Sequence, residues 1–299
     1  MKLIKLTERF LKSGLKRRLL FALCIAVIGT GIIVFAKLAN DTLSADDFYL
    51  WDGPIINLIV WLRNPILNRL MLLVTLAGNW PMIVLGTILV EILLVKANNW
   101  RYFWTLLITN IVAVIFIDLS KNMVGRLRPP KELALIPQGN YSFPSGHSYF
   151  AGVYYGLITY FWVRYLKNRW WQLGFILLGS GGIMALAISR VYLGVHWPTD
   201  VIAGLAVGGV WLAATVLFLE FERLFGAKKL EITDRKKMYQ LIAAVVTLWL
   251  VVLTGYYLVT TNNKAVNLGT KIIRPTIKEA MARTKTAAAA RLRMLVVSS

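Results

Sequence analysis

The sequence predicts an all-α fold, a polytopic helical membrane protein, from its composition and from the length of its apolar blocks. Hydrophobic residues make up 58% of the 299 positions and charged residues 16%, whereas soluble domains carry about 45–50% and about 25%. A helix needs roughly 20 mostly apolar residues to cross a bilayer core of about 30 Å. Blocks close to that length cover residues 19–37, 70–95, 101–120, 147–164, 170–188, 200–220 and 239–260.

The first block follows a basic start and lacks the small-residue pattern of a cleavage site, so we expect a retained anchor with a cytoplasmic N-terminus. With that orientation, the four segments placed inside carry 18 of the 34 lysines and arginines, and the opposite loops carry 8. This bias agrees with the positive-inside rule and predicts a multi-pass protein of the plasma (inner) membrane. The inside segments are 1–18, 96–101, 164–169 and 223–237.

The C-terminal part disagrees with this simple count, because a seventh crossing would place the 8 basic residues after position 263 outside. Either 239–260 does not cross, or the tail lies on anionic headgroups, and we favour the second. The predicted organisation is a basic cytoplasmic N-terminus, a six-helix membrane core with its loops, a basic loop with a further span, and a basic tail. These divisions cover 1–18, 19–225, 226–260 and 261–299.

The net charge of +20 would suggest nucleic-acid binding in a soluble protein. Because the basic residues cluster beside spans, we predict that the protein binds no nucleic acid. Several tryptophans fall near span ends, where their rings are expected to anchor the protein at the membrane interface. They are Trp51, Trp61, Trp100, Trp104, Trp170, Trp171 and Trp197.

Three polar clusters between residues 121 and 200 are not explained by hydropathy. They run from Lys121 to Pro130, from Tyr141 to His147, and from Ser189 to Asp200. The first two share one loop, and two predicted spans separate the second from the third. The chain therefore returns to its starting side, and all three clusters converge on one face, which the charge count makes the outer one.

The residue types in these clusters suit a phosphate group. Lys121, Arg128 and Arg190 supply cationic donors that match phosphate oxygens. Ser145 and Gly146 open a helix whose free N–H groups favour an anion. Taken alone, a basic residue such as Lys121 or Arg126 beside a span is more simply an orientation signal. Their convergence with both histidines of the chain favours a functional site.

The two histidines differ in their neighbours. His147 stands at the same helix start, where an imidazolium could donate a proton to a bound anion. His196 and Asp200 are four residues apart and share a helix face. A carboxylate on one imidazole nitrogen fixes the tautomer and leaves the other nitrogen free to attack. Asp200 on its own would more simply be a helix cap.

Together these residues resemble the type 2 phosphatidic acid phosphatase superfamily. The matching motifs are Lys121-x6-Arg128-Pro129, Pro144-Ser145-Gly146-His147, and Ser189-Arg190-x5-His196-x3-Asp200. The resemblance implies a phosphohistidine on His196, oriented by Asp200, with His147 as general acid and no metal or other cofactor. It further implies that the phosphate oxygens are held by Lys121, Arg128, Ser145, Gly146 and Arg190. It says nothing about 239–260 or the tail.

The sequence therefore predicts a phosphatase that removes phosphate from a lipid monoester or pyrophosphate, of the phosphatidate, phosphatidylglycerol phosphate or polyprenyl pyrophosphate class. One alternative is a phosphotransferase that uses the same residues to pass phosphate to another lipid. The other is a catalytically silent protein that binds or transports lipid. The expected partners are the lipid phosphate and the surrounding membrane lipids, while neither the particular lipid nor the oligomeric state follows from the sequence.

Overall fold

The computed structural model describes residues 14–44, 49–137, 139, 141–224 and 235–262. Within these ranges the chain is helical and has no β-strand, which confirms the all-α prediction. The basic start before residue 14, the loop 225–234 and the tail from residue 263 lie outside the described residues. The helices are α1 (Leu15–Ser44), α2 (Tyr49–Trp61), α3 (Pro65–Ala77), α4 (Trp80–Lys96), α5 (Trp100–Val124), α6 (Gly146–Phe150), α7 (Gly156–Tyr165), α8 (Arg169–Tyr192), α9 (Pro198–Leu224) and α10 (Arg235–Thr261).

The long helices confirm a multi-pass membrane protein. Among the described residues, α1, α5, α8, α9 and α10 are long and apolar enough to cross a bilayer, and α3 with α4 forms a sixth candidate. A π-helical turn, Ala151–Tyr155, joins α6 to α7 without interruption. That stretch coincides with the block predicted at 147–164. By contrast, α2 has 13 residues, too few for a span.

The stretch predicted as one span over 70–95 is not a single helix, because the chain breaks at Gly78 and Asn79. The helices on either side, α3 and α4, are bent by 49°. Pro81 lies in the first turn of α4, where its missing N–H is tolerated, and it cannot continue a helix from α3. The Tyr155 hydroxyl donates to the Ala77 carbonyl at 2.7 Å, which satisfies a group freed by the break. Hydropathy averaged over the whole stretch does not reveal this break, because the residues around it can all lie within a membrane.

Two glycines on α9 let that helix pack closely against the start of α6. A Cβ on Gly204 would lie 2.5 Å from the Ser145 carbonyl oxygen, and one on Gly208 would lie 2.8 Å from that of Tyr149. Small residues four apart allow such close approach of helices in membranes. The contact brings the first turn of α9, with Asp200, against the first turn of α6, with His147.

At the far end of α9, arginines from four separate segments bind two glutamates. Glu220 is buried and accepts from the Arg164 guanidinium at 2.7 Å and from the Arg223 guanidinium at 2.9 Å. Each arginine comes from one of the four segments that were predicted to share one side, and among the described residues these four arginines lie together. We call this group the arginine cluster; its members are Arg17, Arg101, Arg164, Arg223, Glu220 and Glu222.

The anchoring role predicted for Trp197 is wrong. Its ring is 1% exposed, whereas the other six tryptophans of that group lie on the surface. The Trp197 Nε1–H donates to the Leu127 carbonyl at 2.9 Å, and the Arg126 guanidinium lies 5.3 Å from the ring centroid. Trp197 is adjacent in sequence to His196, so it supports the polar clusters instead of facing lipid.

Candidate active site

The turn between α8 and α9 fixes His196. Gly194 has a φ of +72° and its Cα faces the Leu133 carbonyl so closely that a Cβ would clash there. Only glycine adopts this conformation without strain. The His196 Nδ1 lies 3.4 Å from the Asp200 Oδ2, which also accepts from the Trp197 backbone N–H at 2.9 Å. A proton on Nδ1 leaves the lone pair on Nε2, and an Arg128 N–H donates to Nε2 at 3.1 Å.

The His196 imidazole is held in its neutral form. Burial lowers the pKa of His196 to about 3, and the positive charges of Arg128 and Arg190 act in the same direction, against the effect of Asp200. A neutral imidazole has the lone pair that a nucleophile needs. The geometry therefore provides, at neutral pH, a nucleophilic nitrogen whose position is set by a carboxylate.

A buried network behind Asp200 was missed by the sequence analysis. Arg126 donates one Nη to Asp200 Oδ1 and the other to Asp52 Oδ2, the second bond at 2.7 Å. Asp52 also accepts from the Thr199 N–H at 3.0 Å and from its hydroxyl at 2.7 Å. All of these side chains are buried. Arg126 was read as an orientation signal, and the available hint was its place beside Arg128 in the first polar cluster.

Asp52 titrates unusually in this network. Burial raises the pKa of Asp52 to about 6, whereas Arg126 and the Thr199 hydrogen bonds lower it. At neutral pH the carboxylate is therefore charged and paired. Because Asp52 lies in α2, far from the three clusters in sequence, its contribution depends on tertiary structure.

Three cations line a cavity of about 700 Å³ together with Gly146 and His147. We call Lys121, Arg128 and Arg190 the cavity cations. Arg190 is buried and donates one Nη to the Thr75 hydroxyl, but its Nε has no hydrogen-bond partner. A buried donor without a partner carries a free-energy cost that a ligand could remove. Among the described residues, no carboxylate lines this cavity.

One wall of the cavity is apolar and continues onto the outer surface of the bundle. Val84 of α4, Val114 of α5 and Val259 of α10 line the cavity and are also exposed. Exposed apolar side chains on spanning helices face lipid. The cavity therefore lies between a cationic side and a side continuous with the lipid-facing surface. Tyr256, Val259 and Thr260 of α10 line the same cavity, so the segment on which the resemblance was silent contributes to its wall.

Ser145 and Gly146 occupy different positions. Ser145 is fully buried, and its hydroxyl oxygen accepts from the Ser148 hydroxyl at 2.9 Å and caps α6. It is absent from the cavity lining, so its predicted contact with phosphate remains a prediction. Gly146 does line the cavity, and a Cβ there would make only an ordinary 3.7 Å contact with Ile117. Packing within the protein therefore does not demand glycine at this position.

His147 is half-buried and makes a hydrogen bond that the sequence analysis did not foresee. Its Nε2–H donates to the Asn79 Oδ1 at 2.6 Å. The Asn79 Nδ2 in turn donates to the Tyr256 hydroxyl at 3.0 Å. Asn79 lies at the break between α3 and α4, so it could be found only after the break itself was known.

In the part of the chain that the structure describes, no group of three or more His, Cys, Asp or Glu side chains could hold a metal ion. Five of the eight predicted site residues line the cavity, namely Lys121, Arg128, Gly146, His147 and Arg190. His196, Asp200 and Ser145 are buried outside the lining, and His196 is connected to it through the contact between its Nε2 and Arg128. Their individual chemical roles remain predictions.

Comparisons with known proteins identify a family and a fold. The family model described as "PAP2 superfamily" matches residues 100–224. The undecaprenyl-diphosphatase of Sulfolobus acidocaldarius is 32% identical over 47% of this chain and 65% of its own length. The phosphatidylglycerophosphatase B of Bacillus subtilis is 32% identical over 52% of this chain and 77% of its own length. The chain thus spans less than two thirds of the first of these relatives.

A solved structure has a similar fold. It is described as the crystal structure of a transmembrane PAP2-type phosphatidylglycerolphosphate phosphatase from Bacillus subtilis. The match covers 66% of this chain and 96% of that one, with a TM-score of 0.54 and 26% identity. This similarity supports the helical membrane core around the three clusters.

Proposed function

Because the chain belongs to the PAP2 superfamily, we propose that it is an integral membrane phosphatase that hydrolyses a phosphate monoester or pyrophosphate of a lipid. Family membership and the named phosphatase relatives support a hydrolase that acts on phosphate esters. The observation that carries the finer proposal is a neutral His196 whose Nε2 contacts Arg128, one of three cations lining a cavity that has no carboxylate among its described lining residues. Such a cavity favours a group with more than one negative charge.

In the first step, the His196 Nε2 attacks the phosphorus, and the bond from phosphorus to the lipid oxygen breaks. Arg128, which here donates to Nε2, would instead donate to a phosphate oxygen. The cavity cations stabilise the negative charge on the oxygens as the transition state forms. His147 gives a proton to the departing oxygen, and the product is a phosphohistidine on His196.

In the second step, water attacks the phosphohistidine. The neutral His147 takes a proton from this water, the phosphorus–nitrogen bond breaks, and inorganic phosphate is released. His196 returns to the neutral form with its proton on Nδ1, held by Asp200. Asp200 keeps its own position through Arg126, which also binds Asp52.

The proposed substrate has an anionic headgroup and an apolar tail. The names of the two curated relatives point to phosphatidylglycerol phosphate and undecaprenyl diphosphate. A tail of either kind could lie along the apolar wall, where Val84, Val114 and Val259 continue to the lipid-facing surface. We propose that the arginine cluster lies at the cytoplasmic face, because arginines are enriched on that side of membrane proteins. The site lies at the opposite end of α9, so we propose that it faces the extracytoplasmic side.

The test is phosphate release from a panel of lipid phosphates by protein purified in detergent, with and without a chelator. We expect release from at least one lipid and no effect of the chelator. His196→Ala should lower the rate by about 10³-fold or more and abolish labelling of the protein by ³²P-substrate. Activity of His196→Ala equal to that of wild type would refute the proposal, and loss of activity with chelator would contradict the metal-free mechanism.

The same assay separates the two alternatives. Release of inorganic phosphate from a single purified lipid counts against an obligatory phosphotransferase, which needs a second lipid as acceptor. A protein that binds the lipid panel but releases no phosphate would instead support a silent lipid-binding role.

A further inference from the structure

We propose that Asn79 and Tyr256 position His147, and that α10 is thereby a working part of the active site. The inference rests on the role proposed above for His147 as general acid and base. It adds two positioning residues that lie outside the residues 100–224 matched by the family model.

Asn79 occupies the N-cap position of α4 but does not cap that helix. An asparagine at this position normally accepts a hydrogen bond from an N–H in the first turn. Asn64, at the N-cap of α3, does so by accepting from the Leu67 N–H at 2.9 Å. The Asn79 side chain makes no such bond. Its two amide atoms are instead used by His147 and Tyr256.

The contacts of His147 fix which ring edge faces the helix break. Its Cδ2 lies 3.1 Å from the place where a Cβ on Gly78 would be, and its Nε2 contacts Asn79. Both atoms belong to one edge of the imidazole, so Nδ1 lies on the opposite edge. Because the Asn79 Oδ1 accepts a hydrogen bond, it keeps a proton on Nε2 in both the charged and the neutral ring.

One consequence is that a single nitrogen, Nδ1, serves both steps. In the imidazolium, Nδ1–H is the proton given to the leaving lipid oxygen. The neutral ring that remains carries its proton on Nε2, and the lone pair on Nδ1 then accepts the proton of the attacking water. Without Asn79 the neutral ring could rotate or change tautomer, and the second step would start from the wrong arrangement.

Tyr256 keeps the amide of Asn79 in the required orientation. Its hydroxyl oxygen accepts from the Asn79 Nδ2, so the Oδ1 is left facing His147. A flipped amide would place its Nδ2–H against the His147 Nε2–H, and the Tyr256 hydroxyl would have to donate instead of accept. The neighbouring Tyr257 lies on the same helix and is similarly half-buried, and its hydroxyl makes no hydrogen bond in the described structure. It provides a matched control for the loss of one phenolic hydroxyl from α10.

The first test compares two leaving groups. A lipid phosphate leaves as an alkoxide and needs a proton, whereas a nitrophenyl phosphate leaves well without one. We expect Asn79→Ala to lower kcat for the lipid phosphate about 10²-fold. The rate of phosphoenzyme formation from the aryl phosphate should fall much less. Tyr256→Phe should lower the lipid rate several-fold, roughly as expected for one displaced hydrogen bond. Tyr257→Phe should match wild type on both substrates.

The second test is the pH–rate profile of Asn79→Asp with the lipid phosphate. A carboxylate that accepts a hydrogen bond from the His147 Nε2–H favours the imidazolium. The alkaline limb of the profile, where the rate falls as His147 loses its proton, should therefore move to higher pH. Asn64→Ala removes a true helix cap, so it should lower thermal stability but leave the limb in place. Equal losses on both leaving groups in Asn79→Ala, or an unmoved limb in Asn79→Asp, would reduce Asn79 to a structural role and overturn the inference.

A third measurement does not depend on turnover. The chain has two histidines, so ring ¹⁵N chemical shifts should show one Nδ1–H tautomer, from His196, and one Nε2–H tautomer, from His147. Asn79→Ala should lose the second pattern and keep the first. If the wild-type protein releases no phosphate from any lipid, the proposed function fails while the tautomer result still decides the positioning by Asn79. Two Nδ1–H tautomers would contradict that positioning directly.

Discussion

The two ends of α9 both bury arginine against carboxylate, but they balance the charges differently. In the arginine cluster, Glu220 binds several arginines at once, and Glu222 binds another, so its cations and anions are bound to one another. At the other end, Arg126 alone binds both Asp52 and Asp200. The cavity cations face a space that no described carboxylate lines.

The difference teaches which end pairs its cations with carboxylates before any ligand binds. The arginine cluster ties α1, α5, α7 and α9 together and pairs each of its arginines with a glutamate, although one buried Nη of Arg101 is left without a hydrogen-bond partner among the described residues. The cavity cations repel one another, and an anion that binds between them lowers their electrostatic free energy. Substitutions at the first end should therefore change stability without changing catalysis, and those at the second end should do the reverse. Arg126 should affect both stability and catalysis. It is paired with carboxylates, as the arginines of the arginine cluster are, and it also binds Asp200 of the candidate site.

Arg126→Ala should give the largest effect, since it leaves two buried carboxylates without their shared cation. Removing one partner of a buried ion pair costs about 3–5 kcal/mol, and Asp200 would no longer be held against His196. We expect a lower midpoint of thermal unfolding in detergent and a fall in kcat/KM of about 10³-fold. Glu220→Gln should lower the midpoint similarly and leave kcat/KM unchanged. Equal catalytic losses in the two variants would remove the distinction between the ends.

Arg190→Gln should separate catalysis from stability in the opposite sense. Losing one preorganised cation should lower kcat/KM by about 10²–10³-fold. The unfolding midpoint without ligand should stay the same or rise, because the Arg190 Nε is buried without a partner. Inorganic phosphate should raise the midpoint of wild type but not of this variant. Arg69→Gln, an exposed arginine on α3, should behave as wild type in both measurements. A large drop in midpoint for Arg190→Gln would mean that this arginine is structural.

Gly146→Ala should have a moderate effect confined to the ligand. The added methyl group has room against Ile117 but projects into the cavity, so we expect KM to rise about tenfold, equivalent to about 1.4 kcal/mol, with an unchanged unfolding midpoint. Gly204→Ala is the contrast, because its Cβ would press on the Ser145 carbonyl and separate α9 from α6. That variant should fold poorly. An unchanged KM for Gly146→Ala would show that the anion does not approach this backbone.

Acid stability depends on two groups that titrate in opposite directions. The pKa of His196 falls from its ordinary 6.5 to about 3 on folding, so only the unfolded chain takes up this proton and stability is lost as pH falls from 6.5 towards 3. The pKa of Asp52 rises to about 6, so its contribution is present at low pH and is lost as pH rises through 6. Each slope is about 1.4 kcal/mol per pH unit.

These two slopes oppose each other between about pH 4 and 6. Unfolding midpoints measured across this range should therefore fall with acid less steeply in His196→Ala than in wild type, and more steeply in Asp52→Asn. Parallel curves for all three proteins would show that neither group titrates as stated.

The sequence was sufficient for the parts that depend on local pattern. Apolar block lengths predicted the helical membrane class, and motif spacing brought His147, His196 and the cavity cations to one face. It failed where the outcome depends on long-range packing. Asp52 and Arg126 are 74 residues apart, and nothing in either neighbourhood indicates that they meet. Hydropathy also merged α3 and α4 into one span and therefore hid Asn79.

Trp197 shows the same limit at a single residue. A tryptophan at the end of a span predicts an interfacial anchor, but this ring packs under Arg126 and bonds to Leu127. The decisive fact is the tight turn at Gly194, which directs the following residues inward. A local rule about span ends carries no information about which side of the turn becomes buried.

The bend at Gly78 and Asn79 has a consequence for where the catalytic unit ends. The family model matches residues 100–224. Asp52, Thr75 and Asn79 precede this range, and Tyr256 follows it. A fragment trimmed to the matched residues would retain every motif and still lack Asp52, Thr75 and Asn79, which contact Arg126, Arg190 and His147. Grafting this chemistry onto another membrane scaffold would require moving side chains from at least three further helices. The set of residues that must be transferred together is therefore larger than the sequence motifs of the family.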